Sequence, residues 1–195
     1  MISNVKASDT VLVHAAASGV GTAMIQLIKA AGAKSIAVSS SDSKLQICTD
    51  LGADYVINYK THPDFQHQVM QITQNKGANV IADPVGASNA MRNVASLAVD
   101  GKWVLYGSMG GRIVENFDLG ALVAKRGILF TTTLKTRSVE YKTELIQKLA
   151  KHFFHSGHGF KPVIEKVLPM SDAKQAHELM ESNTTIGKIL LKYDL

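Results

Sequence analysis

A buried strand that runs into a turn of small residues and then into a helix is the feature that most limits how this chain can fold. Residues 10–14 read TVLVH, a β-branched and apolar run typical of a strand covered on both faces. The turn AAASGVG follows over residues 15–21, and from Gly19 apolar residues recur at helical spacing as far as Gly32. Strand, tight turn and helix in this order are the context of a dinucleotide-binding fingerprint.

The turn keeps only the last glycine of the pattern G-x-G-x-x-G, because Ala16 stands at the first glycine position and Ser18 at the second. Small side chains still leave room for a pyrophosphate against the free N–H groups and the positive dipole end of the helix. The alternative is a turn whose residues are small only for packing. The phosphate pocket is predicted at this turn.

Strands and helices alternate along most of the chain. Further strands are predicted at 35–39, 55–59, 79–83, 102–106 and 127–133. This rhythm predicts an α/β fold, a doubly wound parallel Rossmann sheet with helices on both faces and right-handed crossovers. The last third departs from it. There the pattern predicts an amphipathic helix from Glu140 to Phe154 with Ile146 turned inward, a helix from Asp172 to Met180, and a closing strand over 188–191.

Composition excludes several classes of protein. The net charge of +5 suits an anionic ligand, but the lysines are scattered and nucleic acid is not a predicted partner. The single cysteine, Cys48, lies in a helical pattern, where we expect a buried thiol, and it excludes an internal disulfide and a multi-cysteine zinc site. No metal site is predicted, because the spacing of His152, His155 and His158 better suits a cationic helix end. With no spanning apolar run and no signal-peptide pattern, we expect a cytoplasmic protein with no membrane partner.

The residues after the second predicted strand bear on which nucleotide is bound. An NAD enzyme places a carboxylate there, about 20 residues after the glycine turn, to bind the ribose 2′-hydroxyl. Here the run is SSSDSK over residues 39–44, and the side chains of Ser40 and Lys44 suit the 2′-phosphate of NADPH. Asp42 would favour NAD if it faced the ribose, but not if it capped the helix. We predict NADPH; the alternative is an ordinary helix start with a surface lysine.

Two glycine-containing corners are predicted to receive the nicotinamide. The run DPVG over residues 83–86 follows the fourth strand, and GSMGG over residues 107–111 follows the fifth. The carboxyl ends of parallel strands meet at one edge of the sheet, where ligands bind. Glycine lets the backbone come close to a flat ring, although ordinary structural turns are the alternative for each corner.

Taken together, these stretches resemble the zinc-free quinone oxidoreductases of the medium-chain dehydrogenase/reductase superfamily. The resemblance is carried, in order and over nearly the whole chain, by VLVHAAASGVGTAMIQLIKAAGAK, SSDSK, LGADYVINYK, DPVG, DGKWVLYGSMGG and IGKILL. It implies a homodimer that uses NADPH to reduce quinones or related electrophiles. It also implies a Rossmann domain beside a GroES-like catalytic domain.

The resemblance also implies site residues, and it assigns the pyrophosphate to Ser18, Gly19, Val20 and Gly21. Ser40, Lys44 and Tyr59 would hold the 2′-phosphate and the adenosine ribose, and Asn183 loosely matches a further phosphate contact. The residues implied to line the nicotinamide are Val85, Gly107, Ser108, Met109, Thr133 and Leu134. The catalytic residues are unknown, because the polar groups that orient the quinone would belong to the GroES-like domain.

The same resemblance divides the chain into three parts. Residues 1–9 would be the tail of the GroES-like domain, residues 10–160 the NADP-binding Rossmann domain, and residues 161–195 a helix and strand left over from the GroES-like domain. Two functions are then open. One is hydride transfer from NADPH to a quinone, and the other is an NADPH-binding or interaction module with little turnover, because most of the catalytic domain is missing.

Overall fold

The computed structural model describes residues 4–154 and 159–193, and strands and helices alternate through most of them. The strands are β1 Thr10–Val13, β2 Lys34–Ser39, β3 Tyr55–Asn58, β4 Ala78–Asp83, β5 Leu97–Leu105, β6 Ile128–Thr131, β7 Ile164–Pro169 and β8 Lys188–Lys192. The α-helices are α1 Gly19–Ala30, α2 Asp42–Asp50, α3 Phe65–Ile72, α4 Ala90–Ser96, α5 Leu119–Ala124, α6 Val139–Leu149 and α7 Ala173–Glu181. Within the described residues, none of these helices combines the length and hydrophobicity needed to cross a bilayer.

Six strands form one parallel sheet in the order β3-β2-β1-β4-β5-β6. This order confirms the predicted doubly wound Rossmann sheet. β1 lies at its centre, since its apolar residues have to be covered on both faces, and Leu12 and Val13 are fully buried. β1 to β3 form one half of the sheet and β4 to β6 the other, so the strand order reverses between β1 and β4. The crevice at the carboxyl ends of these two strands is the expected ligand position.

The two faces of the sheet carry separate cores. Leu12 packs on one face in a cluster with Phe65 of α3, whereas Val13 packs on the other with Ile25 of α1 and Cys48 of α2. Alternate residues of β1 therefore serve opposite helix layers, which is the strand period of two. Cys48 is buried as predicted, and burial raises the pKa of its thiol to about 11.

Two predicted elements differ from the structure. β5 begins at Leu97, five residues before the predicted start, and includes Asp100, a non-glycine residue with a φ of 62°. The predicted helix from Glu140 is α6 followed by a π-helical stretch over residues 150–154, and Ile146 is 63% exposed rather than turned inward. An amphipathic period shows that a helix has an apolar face, but it does not show that a neighbour covers that face.

The C-terminal part is a strand, a helix and a strand rather than the predicted helix and strand. β7 and β8 pair in parallel as a separate two-stranded sheet, with α7 between them in sequence. This unit, residues 161–193, is tied to the first βα turn, because Gly187 N donates to Ala17 O at 2.8 Å. The side chain of Gln26 also exchanges two hydrogen bonds, of 2.9 and 3.0 Å, with the backbone of Lys161. The C-terminal unit therefore lies against the predicted pyrophosphate turn.

Candidate functional site

The turn between β1 and α1 lies at the carboxyl edge of the sheet, between the ends of β2 and β4. Backbone hydrogen bonds hold it on both sides: His14 N donates to Ala82 O and Ala16 N donates to Val38 O, each at 3.0 Å. The turn thus occupies the point where the strand order reverses, which is where open α/β sheets bind ligands.

Ser18 starts α1 as its N-cap, and its Oγ accepts a hydrogen bond from Gly21 N at 3.1 Å. The first amides of the helix, including those of Gly19 and Val20, have no intrahelical acceptor. The first turn of α1 carries no acidic residue. The aliphatic part of the Lys188 side chain lies over Gly19, which adds a basic residue that sequence reasoning missed. Free amides, a helix dipole and a nearby lysine suit an anionic group such as a pyrophosphate.

The start of α2 excludes one of the two orientations that the sequence left open for Asp42, namely the helix cap. Ser41 is the N-cap of α2, and its Oγ accepts a hydrogen bond from Lys44 N at 3.4 Å. Asp42 is therefore the first residue of the helix and not its cap, and its Oδ1 accepts a hydrogen bond from the Asn58 side chain at 2.9 Å. The carboxylate is therefore held toward the edge strand β3, while Ser40 remains at the end of β2.

Lys44 is buried, with only 7% of its surface exposed, and its ammonium donates to Asn183 O at 2.6 Å. Burial, and next the nearby charge of Lys60, lower the pKa of Lys44, while Glu165 acts in the opposite direction. The structure thus brings together Lys44, predicted at the 2′-phosphate, and Asn183, which loosely matched a further phosphate contact. The ammonium also donates to Asn183 Oδ1 at 3.5 Å, and because it carries three donors, one is left for a further acceptor.

Tyr59 follows β3 and lies beside the end of β2. Its backbone N–H donates to Ser39 O at 3.0 Å, and 40% of its surface is exposed. Ser40 and Tyr59 therefore leave two adjacent parallel strands at the same edge. An exposed phenol at this position can pack on a ribose or donate to a phosphate.

The loops after β4 and β5, residues 83–86 and 107–111, interlock into one structure, which we call the β4–β5 corner. Met109 N donates to Pro84 O at 3.1 Å, and Gly110 N donates to Val85 O at 2.7 Å. Gly107 is required by this approach, since a Cβ there would lie 2.7 Å from Pro84 O. The structure thus brings together Val85, Gly107 and Met109, as expected for residues that share one ligand.

Three other predicted nicotinamide residues, Ser108, Thr133 and Leu134, are exposed at the same edge. Thr133 and Leu134 lie just beyond β6. The preceding residue, Thr132, donates its N–H to Leu105 O at 3.0 Å, which keeps this segment beside the end of β5. These residues form the outer margin of the edge rather than its interior.

A buried polar cluster that the sequence did not reveal lies at the same end of the sheet. It consists of His14, Asp83, Asn93 and Trp103, each at most 3% exposed, and we call it the Asp83 network. In the sequence, the only indication of this cluster was that His14 and Asp83 are polar residues at the ends of apolar strands. The hydrogen bond between His14 and Asn93 could not be predicted, because Asn93 lies in α4, 79 positions away from His14.

The stability of the protein should fall as His14 is forced to take up a proton. Burial lowers the pKa of His14 from 6.5, although Asp83 and the hydrogen bond to Asn93 act against this. The unfolded chain then binds more protons than the folded one below about pH 6.5. We expect the free energy of unfolding to drop by up to about 1.4 kcal/mol per pH unit below that point.

Urea unfolding at several pH values between about 7.5 and 5 measures this effect. The matched variant is His14→Gln, which keeps a donor for Asn93 but does not titrate. Its unfolding free energy should depend less steeply on pH in this range than that of the wild type. An identical slope in both proteins would contradict a neutral, buried His14.

No metal centre is evident within residues 4–154 and 159–193, where no group of three or more histidine, cysteine, aspartate or glutamate side chains is placed to hold an ion. His155 and His158 lie outside the described residues, and the side chain of His152 is likewise not described.

Three comparisons relate the chain to known proteins. Residues 19–151 match the family of zinc-binding dehydrogenases. Quinone oxidoreductase 1 of Escherichia coli (strain K12) is 32% identical over 190 residues, which cover 96% of this chain and 58% of that protein. Among solved structures, an NAD-dependent alcohol dehydrogenase matches with a TM-score of 0.82 and 31% identity, over 96% of this chain and 52% of its own. The NADPH complex of mycobacterial Rv1454c matches with a TM-score of 0.79 and 31% identity, over 96% of this chain and 58% of its own. The chain spans little more than half the length of each.

Proposed function

Because this chain belongs to the zinc-binding dehydrogenase family of the medium-chain dehydrogenase/reductase superfamily, we propose that it binds NADPH and passes hydride to quinones or related electrophiles. The observation that carries the proposal is that three features meet at one edge of the sheet. They are the N-terminus of α1, the serines and the lysine that follow β2, and the glycine-containing β4–β5 corner. The Escherichia coli quinone oxidoreductase supports the substrate class, and the mycobacterial NADPH complex supports the cofactor.

The residues at this edge fit each part of NADPH. The α1 amides and Ser18 would hold the pyrophosphate, and the one proton of Lys44 not used by Asn183 would bind the 2′-phosphate together with Ser40. The reduced nicotinamide supplies the hydride, and the protein supplies binding, orientation and the exclusion of water.

We further propose that the reaction needs no zinc and that two copies of the chain associate. The single cysteine supports the first point. The β6 edge supports the second: Ile128 and Leu129 are 51% and 42% exposed, and β6 ends the sheet in the part of the chain that the structure describes. An apolar, unpaired edge favours pairing with another strand, and sedimentation velocity would measure the resulting dimer.

The division of the chain and its location remain proposals. The separate sheet of β7 and β8 supports a boundary near residue 160, with residues 10–160 as the NADP-binding domain and residues 161–195 as a segment of the catalytic domain. Residues 1–9 would belong to the same catalytic domain. We propose a cytoplasmic location on the sequence pattern alone.

Calorimetric titration with NADPH and with NADH, followed by NADPH absorbance in the presence of a quinone, tests the function. We expect NADPH to bind more tightly than NADH and to be oxidised only when quinone is present. Binding without oxidation would support the alternative, a cofactor-binding module with little turnover. A chain that binds neither nucleotide would contradict both functions.

A further inference from the structure

Asp83 is a fully buried carboxylate whose two oxygens accept hydrogen bonds from four N–H groups. Oδ1 accepts from the backbone of Val85 at 2.7 Å and of Gly86 at 3.1 Å. Oδ2 accepts from the side chains of Asn93 and Trp103, each at 2.9 Å. All four partners are donors, so both oxygens of Asp83 act as acceptors in these four hydrogen bonds.

The rest of the Asp83 network allows one arrangement of protons. Asn93 turns its nitrogen toward Asp83, since its oxygen would repel the carboxylate there. Its Oδ1 therefore faces His14 Nε2, at 2.7 Å, and this nitrogen must carry the proton. His14 at the end of β1 thus donates to Asn93 of α4, and Asn93 donates to Asp83 at the end of β4.

The two backbone bonds to Asp83 set the shape of the β4–β5 corner. Gly86 has φ 83° and ψ −126°, a conformation that only glycine adopts readily. The carbonyl groups that the turn presents are those of Pro84 and Val85, and they accept from Met109 N and Gly110 N. The loop after β5 is therefore docked on a turn whose geometry Asp83 holds from below.

We propose that Asp83 is the positioning residue of the nicotinamide site: it does not contact the ring but holds the β4–β5 corner in the shape that receives it. This inference rests on the proposed function, since it assigns the ring to this corner. Asp83 acts through Val85 and Gly86, whose amides it binds, and through the loop that docks on them. Buried hydrogen bonds from a fixed partner are the usual means of holding a site to a fraction of an ångström.

Asparagine cannot replace Asp83 without loss of hydrogen bonds. In Asp83→Asn the new side-chain NH₂ group would face either the N–H groups of Val85 and Gly86 or those of Asn93 and Trp103. In both orientations two donors face each other and lack an acceptor. A buried donor without an acceptor is strongly unfavourable, and the corner has to rearrange to relieve it. The change preserves the size of the side chain, so packing is not altered directly.

The test compares Asp83→Asn with Asp54→Asn. Asp54 makes the corresponding kind of bond at the opposite, amino edge of the sheet, where it accepts from Ser35 N at 2.8 Å. Amide hydrogen exchange at Val85 and Gly86 reports the corner without any cofactor. Calorimetry with NADPH, and with adenosine 2′,5′-bisphosphate, which lacks the nicotinamide, separates the two halves of the site.

We expect Asp83→Asn to bind NADPH about ten- to a hundredfold more weakly than the wild type and the bisphosphate equally well. Exchange protection at Val85 and Gly86 should be lost. Asp54→Asn should leave both affinities and this protection unchanged. If Asp83→Asn does not fold, Trp103→Phe removes one donor from Asp83, and it should weaken NADPH binding several-fold with the same selectivity.

The outcomes separate this inference from the proposed function. Variants at Asp83 or Trp103 that bind NADPH like the wild type, or that weaken both ligands equally, would overturn the positioning role and leave the function standing. A wild type that binds the bisphosphate but not NADPH would overturn both. Weaker NADPH binding with unchanged bisphosphate binding, together with faster exchange in the corner, supports the inference.

Discussion

Replacing Gly21 with alanine should lower the free energy of unfolding by about 2 to 3 kcal/mol and weaken NADPH binding by about a hundredfold. The reason is the space behind the first turn of α1: a methyl group on Gly21 would overlap the carbonyl oxygens of Ala15 and Ala16. Both are rigid backbone atoms of the predicted pyrophosphate turn, so either the helix or the turn has to move. Urea unfolding and calorimetry with NADPH measure the two effects.

Gly19→Ala is the matched control, two residues earlier in the same helix. A methyl group on Gly19 would meet the side chain of Lys188, which is exposed and can swing away. We therefore expect its loss of stability to be well under half of that for Gly21→Ala. Equal losses in the two variants would show that α1 does not pack against the turn as described.

Replacing Lys44 with alanine should weaken NADPH binding by about a hundredfold and NADH binding by no more than about twofold. The 2′-phosphate is a dianion, and the buried ammonium of Lys44, already held by Asn183, is the donor we assign to it. NADH has a hydroxyl group at this position, so its affinity should change little in this variant. Calorimetry with both nucleotides measures the ratio.

Lys29→Ala controls for the simple loss of a positive charge. Lys29 lies in the last turn of α1, at the end far from the pyrophosphate turn, with its side chain against Gly52. We expect its affinities for NADPH and NADH to match those of the wild type. Equal weakening of the two nucleotides by Lys44→Ala would end the assignment of this residue to the 2′-phosphate.

The sheet and the position of the candidate site were predictable because both follow from local patterns. Buried parallel strands are short apolar runs, and the helices between them carry a period near 3.6. Once the strands were predicted to be parallel, their carboxyl ends had to meet at one edge of the sheet. This is why Ser18, Ser40, Tyr59, Val85 and Gly107 lie at one edge of the structure, as expected.

The contacts that bind the site together were not predictable, because they join residues far apart in sequence. Lys44 and Asn183 are 139 positions apart, and Asp83 and Trp103 are 20 apart. No periodicity records such a pair. The sequence showed a carboxylate beside a glycine at residues 83–86, but not that its oxygens would be shared between a backbone turn and two side chains.

The C-terminal unit shows a different limit. The pattern of apolar residues predicted α7 and β8 but did not identify β7, which has a proline at its end and whose first four residues are exposed. Such a strand is recognisable only by its partner. In the same way, Ile146 has the spacing of a core residue and is exposed, since burial depends on what lies opposite.

The central place of β1 governs the order in which the molecule can assemble. The backbone N–H of Thr10, at the start of β1, donates a hydrogen bond to the side chain of Asn79, 69 residues later. β1 and β4 can therefore pair only after that much chain has been synthesised. Until then β1 has β2 on one side and an open hydrogen-bonding edge on the other. Non-local parallel pairing of this kind makes folding slow and leaves nascent chains prone to association, so growth at low temperature or with added chaperones should raise the yield of native protein.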